Sequence, residues 1–170
     1  MKIKLLALGL SAVLSVALLG GAMAATGNAH FIGNATGASL SGSSLVCKFK
    51  EAGLASGSVE TVTCSATETI VYECVNNGGK NPAASNKKTF VTTASTSGQF
   101  TADKNGNIVG TLTISPASAA SLGFSCPSGQ TVTLVSVSYS NIKITDQTSG
   151  ASASVSGTLS YTNPAAPPVR

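Results

Sequence analysis

The strongest constraint on how this chain can fold is a two-residue alternation of side-chain type. From Val62 to Cys74 nearly every second residue is apolar or half-apolar, and threonine and serine fill most positions between them. A period of two puts alternate side chains on opposite faces of a β-strand, whereas a helix needs a period of about 3.6. The pattern predicts one long half-buried strand or two strands joined at a bend. Glu68 interrupts the apolar face, which we interpret as a bulge or strand break rather than as a functional buried acid.

Shorter alternating segments recur along the chain with turn residues between them. They predict an all-β fold of about seven to nine strands, an antiparallel β-sandwich of immunoglobulin-like type with disulfides, with a barrel as second choice. A change of parity within 131–139 predicts a bulge or a strand that passes between sheets. The Asn-Gly turn at 103–107 predicts a hairpin between the preceding strand and 108–115. The other segments with this pattern are 45–50, 90–95, 99–102, 142–144 and 155–161.

The first 24 residues have the pattern of a secretory signal peptide. Lys2 and Lys4 precede an apolar run, and Ala22-Met23-Ala24 has the small residues that a signal peptidase reads. Cleavage after Ala24 would leave 146 of the 170 residues, the size of one domain. We expect a secreted, extracellular or periplasmic protein. The predicted parts are a signal peptide 1–24, a flexible N-terminal arm 25–44, a β-sandwich 45–162 and a Pro-rich tail 163–170.

Charge is sparse, at 9% of residues. Without Lys2 and Lys4 the 10 basic residues become 8, against 6 acidic ones. Nucleic-acid binding is not expected, because contacts with phosphates need several clustered cations and Lys87-Lys88 is the only basic pair. No second apolar run of about 18 residues follows the leader, so no spanning helix is expected in the mature chain.

The four cysteines are expected to form disulfides, because export places them in an oxidising compartment. They lack the C-x-x-C spacing of metal sites, and the chain has one histidine. Three pairings are open. We favour Cys47–Cys64, which lie within strand segments close in sequence, and Cys74–Cys126, which lie at a strand end and in a turn.

Catalysis, cofactors and bound metal are not expected. A Ser-His-Asp or Cys-His device would have to use His30, which lies in the predicted arm, and no G-x-S-x-G motif occurs. The turn at 103–107 is interpreted as a hairpin turn rather than a calcium loop, because its glycine is misplaced for an EF-hand. Solvated strand charges are the expected role of the acidic residues, which are Glu51, Glu60, Glu68, Glu73, Asp103 and Asp146.

The polar loop 76–88 is the segment best suited to binding, because loops on rigid sandwiches often carry recognition. A plain sheet-to-sheet crossover is the preferred interpretation of the same loop. Its candidate binding residues are Asn76, Asn77, Lys80, Asn81, Lys87 and Lys88.

A set of motifs over roughly residues 45–160 resembles an uncharacterised family of secreted bacterial β-domains, many of them from actinobacteria. The motifs are 72–87, 97–100, 104–107, 124–130 and 135–141. The resemblance implies no activity. It supports pairing Cys74 with Cys126, because these two residues lie in matching motifs.

These observations lead us to expect a non-catalytic secreted structural or interaction protein of the cell surface or extracellular space. A specific version is a fibre or pilus subunit whose arm 25–44 adds a strand to a neighbouring copy. The alternative is a soluble binding module or protein inhibitor that acts through the 76–88 loop. The partner would be an unknown protein or a second copy of the chain.

Overall fold

The computed structural model describes residues 28–76 and 86–167. The predicted signal peptide lies outside this part of the chain. Within it the chain forms strands, and a short 3₁₀ turn lies at Gly33–Ala35. The strands are β1 His30–Phe31, β2 Gly37–Ser41, β3 Ser44–Ala52, β4 Val59–Asn76, β5 Lys87–Thr101, β6 Ile108–Ile114, β7 Gln130–Asp146, β8 Ser152–Val155 and β9 Leu159–Thr162.

The strands form two antiparallel sheets that pack face to face. In the first sheet β3 is central, with β6 along one edge and β1 and β2 along the other. The second sheet has the order β5-β4-β7, and both β8 and β9 pair with the outer edge of β7. The predicted β-sandwich is confirmed, and its immunoglobulin-like character stays a prediction. Large apolar side chains fill the space between the sheets, among them Leu45, Phe49, Ile70, Tyr139 and Ile142.

The long alternating segment is one strand, β4. Its core-facing positions include Val62, Cys64 and Ile70, each fully buried, as the alternation predicts. The interpretation of Glu68 as a bulge or strand break is wrong, because β4 continues through Glu68 and keeps its alternation. The neighbouring irregularity lies in β7, where Asn141 is an extra residue with a φ of 52°.

The predicted bulge within 131–139 is present. Val71 pairs with Ser136 and Tyr72 pairs with Leu134, so Val135 is an extra residue on β7. An extra residue turns the following side chains to the opposite face. Because of the bulge, apolar residues at even positions before Val135 and at odd positions after it can face the same side of β7.

The segment expected to be a flexible arm contributes two strands, β1 and β2, to the first sheet. β2 pairs with β3 from Gly37–Lys48 to Ser41–Ser44. Ala38 and Leu40 are half-buried against the core, so alternate apolar residues hold the segment in place. Its apolar content was too low to distinguish a strand from an arm in the sequence.

Two connections differ from the predictions. β4 and β5 are antiparallel neighbours in one sheet, so the sheet-to-sheet crossover expected at 76–88 is wrong. The turn at 103–107 does form, with Asp103 Oδ1 accepting bonds from the N–H groups of Asn105 and Asn107 at 2.7 and 2.9 Å. It leads from β5 in the second sheet to β6 in the first, so the predicted hairpin is wrong. Turn residues determine a local reversal and leave open which sheet each strand joins.

Gly110 in β6 packs against two aromatic rings, those of Phe49 and Phe100, whose centroids are 5.0 Å apart. A Cβ at Gly110 would overlap both rings. We expect Gly110→Ala to lower the free energy of unfolding by about 1–3 kcal/mol, because overpacking forces the rings to move. Gly37→Ala is the control, since a Cβ at Gly37 meets no atom within 4 Å. Urea unfolding measures both variants, and equal stabilities would contradict the expectation.

Candidate functional site

Most acidic side chains are buried, contrary to the prediction from sequence. Of the six, only Asp103 is exposed. The prediction that they are solvated strand charges is therefore wrong for five of them. These five are at most 2% exposed: Glu51, Glu60, Glu68, Glu73 and Asp146.

Strand parity explains the burial of four of these acids. Glu51 follows Phe49 at the same parity, and Asp146 follows Ile144 in the same way. Glu60 and Glu68 share the parity of the core-facing residues of β4. The signal was present in the sequence, because a residue in phase with core positions points inward whatever its charge.

Three of the buried acids form a cluster, called here the carboxyl cluster and made of Glu51, Glu60 and Asp146. They lie near the end of β3, the start of β4 and the end of β7, so both sheets contribute. The carboxyl of Asp146 lies close enough to those of Glu51 and Glu60 to raise the pKa of both. The carboxyl cluster therefore joins the two sheets at one end of the sandwich.

Neutral groups satisfy one oxygen of each carboxyl. Ser149 Oγ donates to Glu51 Oε1 at 2.8 Å, and Ser58 Oγ donates to Glu60 Oε1. The N–H of Thr148 donates to Asp146 Oδ1 at 2.8 Å. Glu51 Oε2, Glu60 Oε2 and Asp146 Oδ2 are buried without another donor in the structure. A proton shared between adjacent carboxyls satisfies such oxygens, because a protonated carboxyl is a donor.

Burial raises the pKa of Glu51 from 4.5 to about 7. The hydrogen bond from Ser149 opposes this rise, and the adjacent Asp146 carboxylate adds to it. Burial likewise raises the pKa of Glu60. Glu51 thus keeps its proton at a pH where an isolated glutamate is ionised. Across residues 28–76 and 86–167, no three His, Cys, Asp or Glu side chains are arranged to hold a metal ion.

Glu68, the fourth of the buried acids, holds the segment that follows β6. Its carboxylate accepts bonds from the N–H of Ala117 at 3.2 and 3.3 Å, and Tyr72 Oη donates to the carbonyl of Ala117 at 2.8 Å. Burial raises the pKa of Glu68, and the bond from Ala117 lowers it. Together Glu68 and Tyr72 fix the segment that follows β6 beside a groove of about 400 Å³.

The predicted binding loop is only partly described. Asn77, Lys80 and Asn81 lie outside the described residues. Asn76 ends β4, and its side-chain carbonyl accepts a bond from Gln130 Nε2 at 2.9 Å. The two lysines are the first residues of a strand rather than loop residues: Lys87 and Lys88.

The two disulfides are the predicted ones, Cys47–Cys64 and Cys74–Cys126. Cys47–Cys64 connects β3 to β4, and so links the two sheets through the core. Cys74–Cys126 connects the end of β4 to the segment between β6 and β7. The long segment between β6 and β7 is thereby tied to β4.

β5 is an edge strand of the second sheet. β5 is 15 residues long and pairs with β4 along one side. No other described strand pairs with its second side. Val91 is 69% exposed, and Thr89–Thr101 contains neither a charged residue nor a proline. Charges and prolines are the usual means by which proteins prevent pairing at a sheet edge.

The fold and these sites define a disulfide-bonded antiparallel β-sandwich with a carboxyl cluster and a long open edge. No family model matches the chain, and neither does a curated protein or a solved structure. In the described ranges, no helix is long and apolar enough to cross a membrane.

Proposed function

We propose that the protein is a non-catalytic structural or interaction protein that works outside the cytoplasm, at the cell surface or in the extracellular space. The outer edge of β5 carries this proposal, because a long unpaired strand edge is a template for strand addition. The leader-like first 24 residues and the two disulfides support export.

The accessibility of the acidic groups supports a non-catalytic role. A glycosidase needs two carboxyls that reach a substrate from opposite sides. Asp103, the exposed acid, uses its carboxylate to hold its own turn. His30 lies in β1, where its Nδ1 is 2.6 Å from the carbonyl oxygen of Asn28.

Strand addition through the N-terminal arm receives no support, because the described part of the arm already pairs within its own sheet. We therefore propose the edge of β5, rather than the N-terminal arm, as the site of assembly. Main-chain hydrogen bonds would supply affinity there, and the exposed side chains of β5 would supply selectivity.

Site-specific cross-linking tests this function. The full chain, with its leader, is produced in a bacterial host with a photo-reactive amino acid at Val91 or, as control, at Val109 of β6. These positions are 69% and 74% exposed. We expect an exported protein without residues 1–24, with both disulfides formed and with adducts formed mainly from position 91. A reduced cytoplasmic protein, or equal adducts at both positions, would contradict the proposal.

A further inference from the structure

We propose that the partner of the β5 edge is a second copy of the same chain, paired antiparallel about a two-fold axis beside Ala94. This inference rests on the proposed function and names its partner. The second sheets of the two copies then form one continuous sheet through the β5–β5 contact. Such a contact is isologous, since the same edge serves both copies.

The length and parity of β5 select this register. Centring the pair on Ala94 uses all 15 residues and places Lys87 opposite Thr101. Residues opposite each other then share parity, so half-buried side chains adjoin half-buried ones and exposed side chains adjoin exposed ones. Phe90 lies opposite Gly98, which keeps two large side chains apart.

Charge placement selects the antiparallel direction. Lys87 and Lys88 are the only charged residues of β5. In the antiparallel pair the lysines of the two copies lie at opposite ends of the interface, roughly 45 Å apart at about 3.4 Å per residue. A parallel pair would set them side by side, which is unfavourable.

The chemistry of the edge favours a second copy over a charged partner. Between the ends of β5 the exposed face carries mainly hydroxyl side chains, so an oppositely charged strand finds no complement there. In the two-fold pair Thr93 lies opposite Ser95, and Val91 opposite Ser97. Hydroxyl pairs of this kind already occur within the sheet, where Thr63 Oγ1 and Ser97 Oγ are 2.8 Å apart.

The test introduces charges beside the two-fold axis. In Thr93→Lys/Ser95→Lys, each new lysine faces a lysine of the other copy, and Thr93→Glu/Ser95→Glu sets glutamates against each other. Both positions are exposed, so neither change disturbs the core. The control is Ser152→Lys/Ser154→Lys, which adds the same charge to exposed positions of β8 at the opposite side of the sheet.

Sedimentation of the purified, oxidised mature protein over a range of concentrations gives the result. We expect a wild-type dimer, a similar dimer for the β8 control, and dissociation constants raised about tenfold or more in each β5 variant. An equimolar mixture of the lysine and glutamate variants is expected to restore the dimer. A monomeric wild type, a β5 lysine variant as dimeric as the control, or a mixture that stays monomeric would overturn the proposal.

The cross-linking experiment separates this inference from the proposed function. An adduct at Val91 with twice the mass of the chain supports self-pairing. An adduct of Val91 with a different protein, together with a monomeric wild type, overturns self-pairing and leaves the interaction function standing. Absence of adducts at Val91 counts against both.

Discussion

Raising the pH from 5 to 8 is expected to destabilise the folded protein. Burial holds the pKa of Glu51 at about 7 in the folded state, against 4.5 for an ordinary glutamate. The folded state therefore binds this proton more tightly than the unfolded state does. The resulting stabilisation is fully present below pH 4.5 and is lost as the pH rises through about 7. A displacement of this size corresponds to roughly 3 kcal/mol.

Other buried carboxyls act in the same direction. The pKa values of Glu60, Glu68 and Glu73 are also raised, in each case mainly by burial. Asp103 behaves oppositely, because the N–H groups of Asn107 and Asn105 lower its pKa below 3.8. Its stabilisation is present above pH 3.8 and is lost only in stronger acid. Asp103 therefore contributes nothing to a change between pH 5 and 8.

Glu51→Gln isolates the contribution of the carboxyl cluster. The amide oxygen can still accept the bond from Ser149, and the side chain no longer ionises. We expect this variant to be more stable than wild type at pH 8, by up to about 3 kcal/mol, and to lose part of the pH dependence. Urea unfolding at pH 5, 6, 7 and 8 measures the effect, with Asp103→Asn as the control whose slope stays that of wild type. Wild-type stability that rises from pH 5 to 8 would refute the expectation.

Removing the Cys74–Cys126 disulfide is expected to give a second large loss. The bond closes a loop with a sequence separation of 52 residues. In the chain-entropy model the loss for Cys74→Ala/Cys126→Ala is about 4 kcal/mol, a large part of the stability of an ordinary domain. The segment before Cys126 also packs on β4, where the rings of Phe124 and Tyr72 are stacked 6.1 Å apart.

Two measurements check the disulfide prediction. Urea unfolding gives the free energy, and limited proteolysis shows whether cleavage increases between β6 and β7 in the variant. Cys47→Ala/Cys64→Ala is the comparison, because its shorter separation of 17 residues predicts about 3 kcal/mol from the loop alone. Cleavage between β6 and β7 is expected to rise only in the first variant. A loss below about 1 kcal/mol for Cys74→Ala/Cys126→Ala would show that the segment holds its place without the bond.

The strands could be predicted because alternation is a local property. β4 is continuous over the alternating segment that predicted it. The parity change in β7 corresponds to the bulge at Val135. The segments 90–95 and 99–102 form a single strand, because Ser97-Gly98 does not interrupt β5. Residues 155–161 are divided between β8 and β9, with Gly157 between them at a φ of 88°. A glycine has the same appearance in sequence whether a strand continues or stops there.

Sheet membership and the proposed site could not be predicted in the same way. The turn at Asp103 forms as expected and joins different sheets, because local chemistry does not determine long-range pairing. Whether β5 lies at the edge of a sheet depends on which strands pair with it, and the sequence of β5 alone does not determine its partners. Burial of Glu51 and Asp146 follows from strand parity, because both residues are in phase with core positions of their strands.

The opposite side of the second sheet limits how far copies can assemble. There the outer strand is divided into β8 and β9, of four residues each, which pair with separate parts of β7. Neither piece offers a counterpart to the fifteen residues of β5. If two copies pair at β5, growth would stop there, since among the described strands the pair would use both long edges and present only shorter ones. A particle that closes on itself in this way has a defined size, whereas a filament would need a second pair of matching surfaces.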